Sequence, residues 1–533
     1  YTALPSYRDP RAALAIALPS LAAPDRISVT DAAELYMRVR VGGQWQEFSR
    51  DVTPYMVEPT DMVMAREFRG LALCGPSQCG KTQMLQSVTA YTIKCDPGRL
   101  AIFQMTRDAA KEFEADKIGP MIRQSVDLAE RQMKGRGSDN IFEKSFRGGT
   151  RLTLDWPTIT KLSSATMRTV LMTDYDHFPD SIDGEGEAFT LGLQRVKTMG
   201  SRGTCAAEGS PAKPILVDNW HPATLHEAPP VSGGILGLYN QGTRARFYWT
   251  CPHCGHEFTP IFAHLNYDAD LSPADAGAGA VLVCPESGCI IAHSSKRQLN
   301  AEGRWLHESK DGLRAVPVDD PDRRASDMVS YWISGVMAAF SRWSDLVQAV
   351  ENAKRVFVET GNEEKLRSVT NTELGEPYLP RAMAGDADLD LTELRSRLEV
   401  MPQGVAPGWT RFLTIGVDVQ ATRFAVQVTA WGDFGESAIV DRFDLFTPPD
   451  DAPGGEGRQL DPARYTEDWE VLTALLSRVW MVDGTEYGLM PRGLGVDYHG
   501  APGVSDRAIE FWKRRRAEGM ISRVFLVRGH GGF

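Results

Sequence analysis

The segment Leu71-Ala72-Leu73-Cys74-Gly75-Pro76-Ser77-Gln78-Cys79-Gly80-Lys81-Thr82 constrains this chain more than any other, because an apolar run feeds a G-x-x-x-x-G-K-T loop and a helix-compatible stretch follows. That pattern is a Walker A phosphate-binding loop. Gly75 and Gly80 let the backbone curl until successive N–H groups face an anion, and a helix starting near Lys81 adds the positive end of its dipole. Lys81 is expected to reach the β- and γ-phosphates of ATP, and the Thr82 hydroxyl to ligate Mg2+.

Further strands are expected to bring polar residues to the same edge of an open α/β sheet, where ligands gather outside the carboxyl ends. Arg99–Met105 reads as a buried strand ending in Thr106, Arg107 and Asp108. Arg107 is a candidate phosphate sensor, with a surface helix start as the plainer reading. Thr169–Thr173 reads as a third strand delivering Asp174-Tyr175-Asp176, a Walker B candidate in which one carboxylate holds Mg2+ through water and another polarises the attacking water. The usual Asp-Glu pair is absent, which leaves the division of roles between Asp174 and Asp176 open, with an acidic turn into Phe178-Pro179 as the alternative. Thr204–Pro211 resembles a fourth strand ending in a small polar turn that contains Ser210.

The chain has 533 residues, more than one hydrophobic core usually serves, so two large domains are expected. At 42% hydrophobic and 24% charged, its composition is that of an ordinary soluble protein. No apolar run approaches the ~20 residues of a bilayer span, and a cytosolic protein without membrane contact is expected. A formal charge of −12 argues against a globally basic nucleic-acid binder. Lys513-Arg514-Arg515-Arg516 shows local basic density all the same, with a solvated helix face as the alternative. The sequence opens on Tyr1 without a Met and stops at Phe533, so a longer polypeptide is expected at both ends.

Among eight cysteines, Cys251-Pro252-His253-Cys254-Gly255 and Cys284-Pro285-Glu286-Ser287-Gly288-Cys289 form two knuckles. Such turns aim thiolates at one metal, so Cys251, Cys254, Cys284 and Cys289 are expected to hold Zn2+ in a closed structural site, with His253, His256 or His293 as weaker substitutes. The C-x4-C arm is looser than the common C-x2-C. Cys74, Cys79, Cys95 and Cys205 read as reduced, mostly buried thiols.

Downstream, Trp343–Val356 has the spacing of a core-facing amphipathic helix, and the Asp-, Pro- and Gly-rich stretch 386–408 reads as a linker. Beyond it, Phe412–Gln420 carries Asp418 on a strand with Phe424–Gly432 as hairpin partner, and Gly493–Tyr498 presents Asp497. Two strands each delivering one Asp is how ribonuclease-H-like nucleases gather carboxylates for two Mg2+ ions, although strand ends of this kind are also common turns.

The order of phosphate loop, acidic strand end, Cys-Pro-x-Cys-Gly knuckle and Gly416-Val417-Asp418-Val419-Gln420 strand resembles the lambda-type family of phage terminase large subunits. Thr53-Pro54-Tyr55, Ser210-Pro211 and the long run Asn371-Thr372-Glu373-Leu374-Gly375-Glu376-Pro377-Tyr378 add to the likeness, which spans about residue 30 to the C-terminus. The resemblance implies an α/β chain with an N-terminal arm (1–60), a P-loop ATPase domain (61–385) with a zinc-ribbon insertion at about 246–310, a linker (386–408), and a C-terminally incomplete ribonuclease-H-like nuclease domain (409–533). It implies an ATP-driven motor that packages double-stranded DNA into a procapsid, and an endonuclease that cuts concatemers. Implied partners are the portal protein, a terminase small subunit and further copies in a ring, in the cytoplasm of an infected bacterial host.

By the same resemblance Gly75, Gly80, Lys81 and Thr82 bind ATP and Mg2+. Asp174 falls at the family's Walker B glutamate, Asp176 at the acidic residue after it, and Thr173 stands where the Walker B Asp is expected. Ser210 is the coupling residue, Arg195 or Arg202 a trans-acting finger, and Asp418 and Asp497 are nuclease metal ligands. A third acidic ligand is placed downstream of Phe533, so weak cleavage by this chain is expected unless Glu436, Asp441 or Asp483, expected in solvent-facing positions, replaces it. Two other classes remain: a helicase-like translocase that does not cut, and a zinc-stabilised assembly protein with the phosphate loop as a switch.

Overall fold

Strand β1, Gly70–Cys74, is buried along its whole length, as the strands of a parallel sheet covered on both faces are. The computed structural model describes residue 11 and residues 25–135, 137–163, 166–218, 220–380, 401–454, 457–498 and 503–528. Contacts divide the chain into two units, Tyr1–Asp388 and Leu389–Phe533.

In the first unit, β1 turns through the loop into helix α1, Lys81–Lys94, which buries Met84, Leu85, Val88 and Ile93. The chain continues as β2 (Arg99–Phe103), β3 (Arg151–Asp155), β4 (Thr169–Met172) and β5 (Thr204–Gly209). After β6 (Ala245–Thr250) and β7 (Arg304–Glu308), β8 (Met328–Trp332) returns beside β1. The central run of the sheet is β7-β6-β8-β1-β5-β4-β2-β3. Apart from the antiparallel β6–β7 pair, these neighbours run parallel. Strand β5 therefore separates the phosphate-loop strand from the acidic strand β4, and the crevice for a ligand opens outside their carboxyl ends.

Apolar side chains dictate what packs on this sheet. Val29, Ala33, Met37 and Tyr55 join the same core as Leu71, Leu85 and Tyr331, so residues 29–55 pack onto the central sheet. Ser28 caps helix Val29–Tyr36 through a capping box with Asp31. Between β6 and β7, Glu257–Phe258 folds back antiparallel onto β6, and residues 259–303 carry a three-stranded sheet of their own, Leu265–Asn266, Val281–Val283 and Ile290–Ile291. The expected insertion at 246–310 thus begins and ends on strands of the central sheet. The amphipathic helix expected at 343–356 runs Trp343–Thr360.

The second unit is a five-stranded sheet built from β9 (Phe412–Val419), β10 (Phe424–Trp431), β11 (Ser437–Leu445), β12 (Pro491–Asp497) and β13 (Val524–Val527). Its order is β11-β10-β9-β12-β13, antiparallel among the first three and parallel for the last two pairs. Helix α2, Val504–Ala517, crosses between the parallel strands β12 and β13. This is the arrangement expected of a ribonuclease-H-like domain. Alternation decides its burial: Phe424, Val426, Val428 and Ala430 of β10 all face the core. Residues 386–400 of the expected linker lie outside the described residues, while Val405–Ala406 pairs with Trp480–Val482 inside the second unit. Among the described residues no helix is long and apolar enough to cross a membrane.

Candidate nucleotide and metal sites

The phosphate loop is held from both flanks. Gly80 precedes α1 with φ of 106°, a left-handed conformation that a side chain would strain. A Cβ on Gly75 would come within 2.9 Å of the Ile333 side chain, so the loop lies tight against the segment following β8. The Lys81 ammonium donates to the carbonyls of Gly75 (3.1 Å) and Pro76 (2.5 Å) and lies 3.3 Å from Ser210 Oγ, whose hydroxyl donates to Gly75 O at 2.9 Å. Burial alone would lower the Lys81 pKa, but its ionisable neighbours Cys79, Glu208 and Asp174 hold it above the ordinary lysine value. The lysine is therefore charged, and Ser210 touches both the loop and its cation.

Beyond β4, Asp174 adopts φ 54°, ψ 46° and is exposed at the carboxyl edge. Asp176 behaves differently from the sequence expectation. Its Oδ2 accepts the N–H groups of Ala212 (2.6 Å) and Lys213 (3.3 Å), and its Oδ1 that of Ile235 (2.5 Å). With both oxygens engaged by backbone, Asp176 ties the turn after β5 to the start of helix Gly234–Gln241, and the acidic group left exposed directly after β4 is Asp174. Sequence reading missed Glu208. This residue, 1% exposed on β5, accepts the Thr173 hydroxyl at 2.5 Å. Burial pushes its carboxyl up to about 7, with Lys81 acting in the opposite direction. The available signal was a lone acid in an otherwise small and apolar strand, Thr204-Cys205-Ala206-Ala207-Glu208.

The run 371–378 packs against the loop. The Ser77 N–H donates to Thr372 O at 2.7 Å, and the indole N–H of Trp332 donates to Gly375 O at 2.7 Å. One N–H of the phosphate loop is thus paired with a carbonyl 295 positions away. Arg107 opens helix Arg107–Phe113 with its guanidinium 5.5 Å from the Phe142 ring and 5.8 Å from that of Trp156, in keeping with a helix start. Arg202 precedes β5, at the amino end of the strands, and pairs with Asp96 at 3.0 Å. Arg195 lies in helix Ala188–Val196.

The two cysteine knuckles converge. Sulfurs of Cys251, Cys254 and Cys289 lie within 4.8 Å of one another, and Cys284 Sγ is 3.7 Å from Cys254 Sγ. The unequal spacings are reconciled by a shared turn: the N–H of Gly255 donates to Cys251 O, and that of Gly288 to Cys284 O, each at 3.0 Å. Three thiols thus form a group of metal size with Cys284 against Cys254, and thiolates are ligands that a tetrahedral soft cation takes. The His293 ring packs edge-on against Trp343, centroids 4.9 Å apart, and among the described residues no histidine joins the sulfur group.

In the second unit, Val417 pairs with Val496 across the parallel strands β9 and β12, both facing the core. Asp418 and Asp497 are the next residues of the two strands, so the register carries both to the opposite face near the carboxyl ends. Asp418 is exposed and accepts the Gln420 side-chain N–H at 2.5 Å. Among the described residues no third ligand-type side chain forms a metal-sized group with them. Asp441, expected in a solvent-facing position, is instead buried, held by Trp480 Nε1 (3.2 Å), Gln403 Nε2 (3.2 Å) and Arg478 (3.4 Å). Glu436 and Asp483 are exposed. The basic run on α2 is spent locally: Arg514 pairs with Glu510 at 3.0 Å, Arg515 with Glu518 at 2.9 Å and Glu470 at 3.1 Å, and Arg516 lies over Trp512.

Residues 42–305 match the family model for the phage terminase large subunit gpA, ATPase domain, and residues 328–532 match that for the terminase large subunit gpA, endonuclease domain. The terminase large subunit of Enterobacteria phage P21 is 24% identical over 427 residues, 77% of this chain and 60% of that protein. The chain belongs to the lambda-type family of phage terminase large subunits. The terminase large subunit of Escherichia phage lambda is likewise 24% identical, over 80% of this chain and 64% of its own. This terminase chain therefore spans under two thirds of the length of these curated relatives. Among solved structures, the HK97 bacteriophage large terminase aligns at 12% identity over 95% of this chain and 85% of its own, with a TM-score of 0.34. The ATPase-domain match lies within the first unit, whereas the endonuclease-domain match begins at residue 328, on β8 of the first unit, and runs on through the second.

Proposed function

We propose that this chain hydrolyses ATP at the 75–82 loop to drive double-stranded DNA into a procapsid, and cuts concatemeric DNA at the Asp418/Asp497 edge. The observation that carries the motor reading is the Ser210 hydroxyl, bonded to the loop carbonyl of Gly75 and 3.3 Å from Lys81 Nζ. A γ-phosphate arriving at Lys81 must draw the ammonium off the Gly75 and Pro76 carbonyls. Ser210 then loses or changes a partner, and the turn it begins moves with nucleotide state. Thr82 and the acidic groups at the strand ends suit Mg2+, which when bound neutralises developing phosphate charge. Lys81 binds and orients the phosphates, and Asp174, exposed at the edge, accepts a proton from the attacking water.

In the same reading Asp418 and Asp497 are ligands for the nuclease Mg2+, and Cys251, Cys254, Cys284 and Cys289 hold one structural Zn2+. The partners are a portal protein, a terminase small subunit and further copies of the chain in a ring, in the cytoplasm of an infected bacterium. ATP turnover of the purified chain, measured alone, with linear DNA and with procapsids, tests the motor. Turnover that DNA leaves unchanged would defeat it. Plasmid cleavage in Mg2+ or Mn2+ tests the nuclease, and DNA-stimulated turnover without any cleavage would leave a translocase that does not cut.

A further inference from the structure

Thr173 leaves the acidic strand β4 without a carboxylate at its end, where the metal-holding Asp of a phosphate-loop enzyme is placed. A carboxylate is present on the adjoining strand. Met172 pairs with Ala207 and Leu73 with Glu208, so Glu208 stands between the loop's own strand and Thr173. Its Oε1 accepts the Thr173 hydroxyl, the backbone N–H of Asp174 also bears on the carboxylate, and its Oε2 is buried with no hydrogen-bond partner. A buried carboxylate with an open oxygen is costly unless a cation or a donor completes it. Lys81 is close enough to feel its charge, but the ammonium is committed to Gly75 O and Pro76 O.

We infer that Glu208 is the carboxylate that holds the nucleotide-associated Mg2+ in this chain, through the metal's water ligands, with Thr173 as the positioning residue that fixes its other oxygen. The acidic role has moved one strand across the sheet. The inference rests on the proposed ATPase reading and assigns the metal within it. Depth in the sheet separates this role from that of Asp174: Glu208 is level with Leu73, two positions before the loop begins at Gly75, whereas Asp174 lies beyond the end of β4 and is exposed. The shut-in group suits a metal seated against the loop. The open one suits water arriving from the edge.

The experiment is a titration of Mn2+, followed by its paramagnetic resonance signal, into the full chain with a non-hydrolysable ATP analogue. Glu208→Gln is expected to weaken Mn2+ in the ternary complex by about 10–100-fold while leaving the analogue's affinity in EDTA unchanged. Asp174→Asn is expected to keep Mn2+ affinity and lose turnover. Adding Thr173→Asp to Glu208→Gln, which returns a carboxylate to β4, should recover most of the Mn2+ affinity. If Glu208→Gln fails to fold, Glu208→Asp, which keeps the charge but withdraws it by one methylene, should weaken Mn2+ in the same direction. Wild-type Mn2+ affinity in the Glu208 variant, or its loss in Asp174→Asn instead, would overturn the inference while the ATPase reading stands. A wild-type chain that binds neither analogue nor Mn2+ would bring down both.

Discussion

The two acidic edges of this molecule are built on opposite terms with water. At the first unit's edge Lys81 is 7% exposed, held by two loop carbonyls and the Ser210 hydroxyl, and Glu208 is 1% exposed and bonded to the Thr173 hydroxyl. At the second unit's edge Asp418 is exposed, and strand register alone sets it beside Asp497. Charges withdrawn from water interact strongly and cost stability when mismatched, whereas exposed charges interact weakly and are screened. The first site is therefore organised by the protein before a ligand arrives. The second depends on cations and substrate to hold its carboxylates together. Substitutions should accordingly disturb function and folding together in the first unit and function alone in the second.

Lys81→Ala should show the largest effect, lowering ATP turnover by at least about 10²–10³-fold, because it removes the cation seated against the loop carbonyls. Turnover near the wild-type rate would remove the phosphate loop from the chemistry altogether. Divalent-dependent DNA cleavage by the chain, expected to be weak for want of a third acidic ligand, should be lost in Asp418→Asn while the melting temperature moves little, since exposed substitutions usually stay within about 0.5 kcal/mol. A marked loss of stability in Asp418→Asn would break the contrast between the two edges, because it would mean that the second unit also leans on its acidic residues to fold.

The cysteine cluster sharpens the comparison from a third position. Cys254 is exposed, yet its thiol lies among three others that no disulfide joins. We expect about one Zn2+ per chain by metal analysis, and a melting transition that falls by several degrees on chelation or in Cys251→Ser. Per folded molecule, ATP turnover should persist, since a closed site has no open coordination position. A Cys251→Ser protein that keeps its zinc and its melting temperature would refute the ligand set.

What the sequence made legible follows from how local each requirement is. The phosphate loop needs a particular backbone path, so Gly80 and its spacing to Lys81 announce it without any knowledge of the rest. The knuckles are equally local, because Gly255 and Gly288 each close a turn on a cysteine four residues earlier. That Asp418 and Asp497 lie late in neighbouring strands follows from alternation, with Asp418 one position before the end of β9 and Asp497 at the end of β12. Glu208 was not readable, since its partner Thr173 is 35 positions away and only the sheet order puts β5 between β1 and β4. Asp176 looked catalytic because an acidic strand end is the usual place for such a group. The three backbone N–H groups that occupy it come from residues 212, 213 and 235. Asp441 looked exposed because the strand pattern does not reveal that Trp480 and Gln403 close over it.

The pH dependence of stability gives the finest test of the contrast. Burial raises the Glu208 carboxyl from its ordinary 4.5 to about 7. Between those two values the folded chain holds a proton that the unfolded chain has released, so stability falls as pH climbs from 4.5 through 7 and stays reduced above it. At 1.36 kcal/mol per unit the full difference is on the order of 3–4 kcal/mol, the price of keeping an ionised acid in that pocket without its cation. Glu208→Gln cannot ionise. Measured in EDTA without nucleotide, the variant should melt a few degrees above wild type at pH 8, and the gain should shrink toward zero near pH 5. Adding Mn2+ and the ATP analogue at pH 8 should then stabilise the wild type more than the variant and narrow or reverse the gap. An offset between the two proteins that is the same at pH 5 and pH 8 would show that Glu208 is already at ease in its pocket, and the two edges would then differ in exposure without differing in strain.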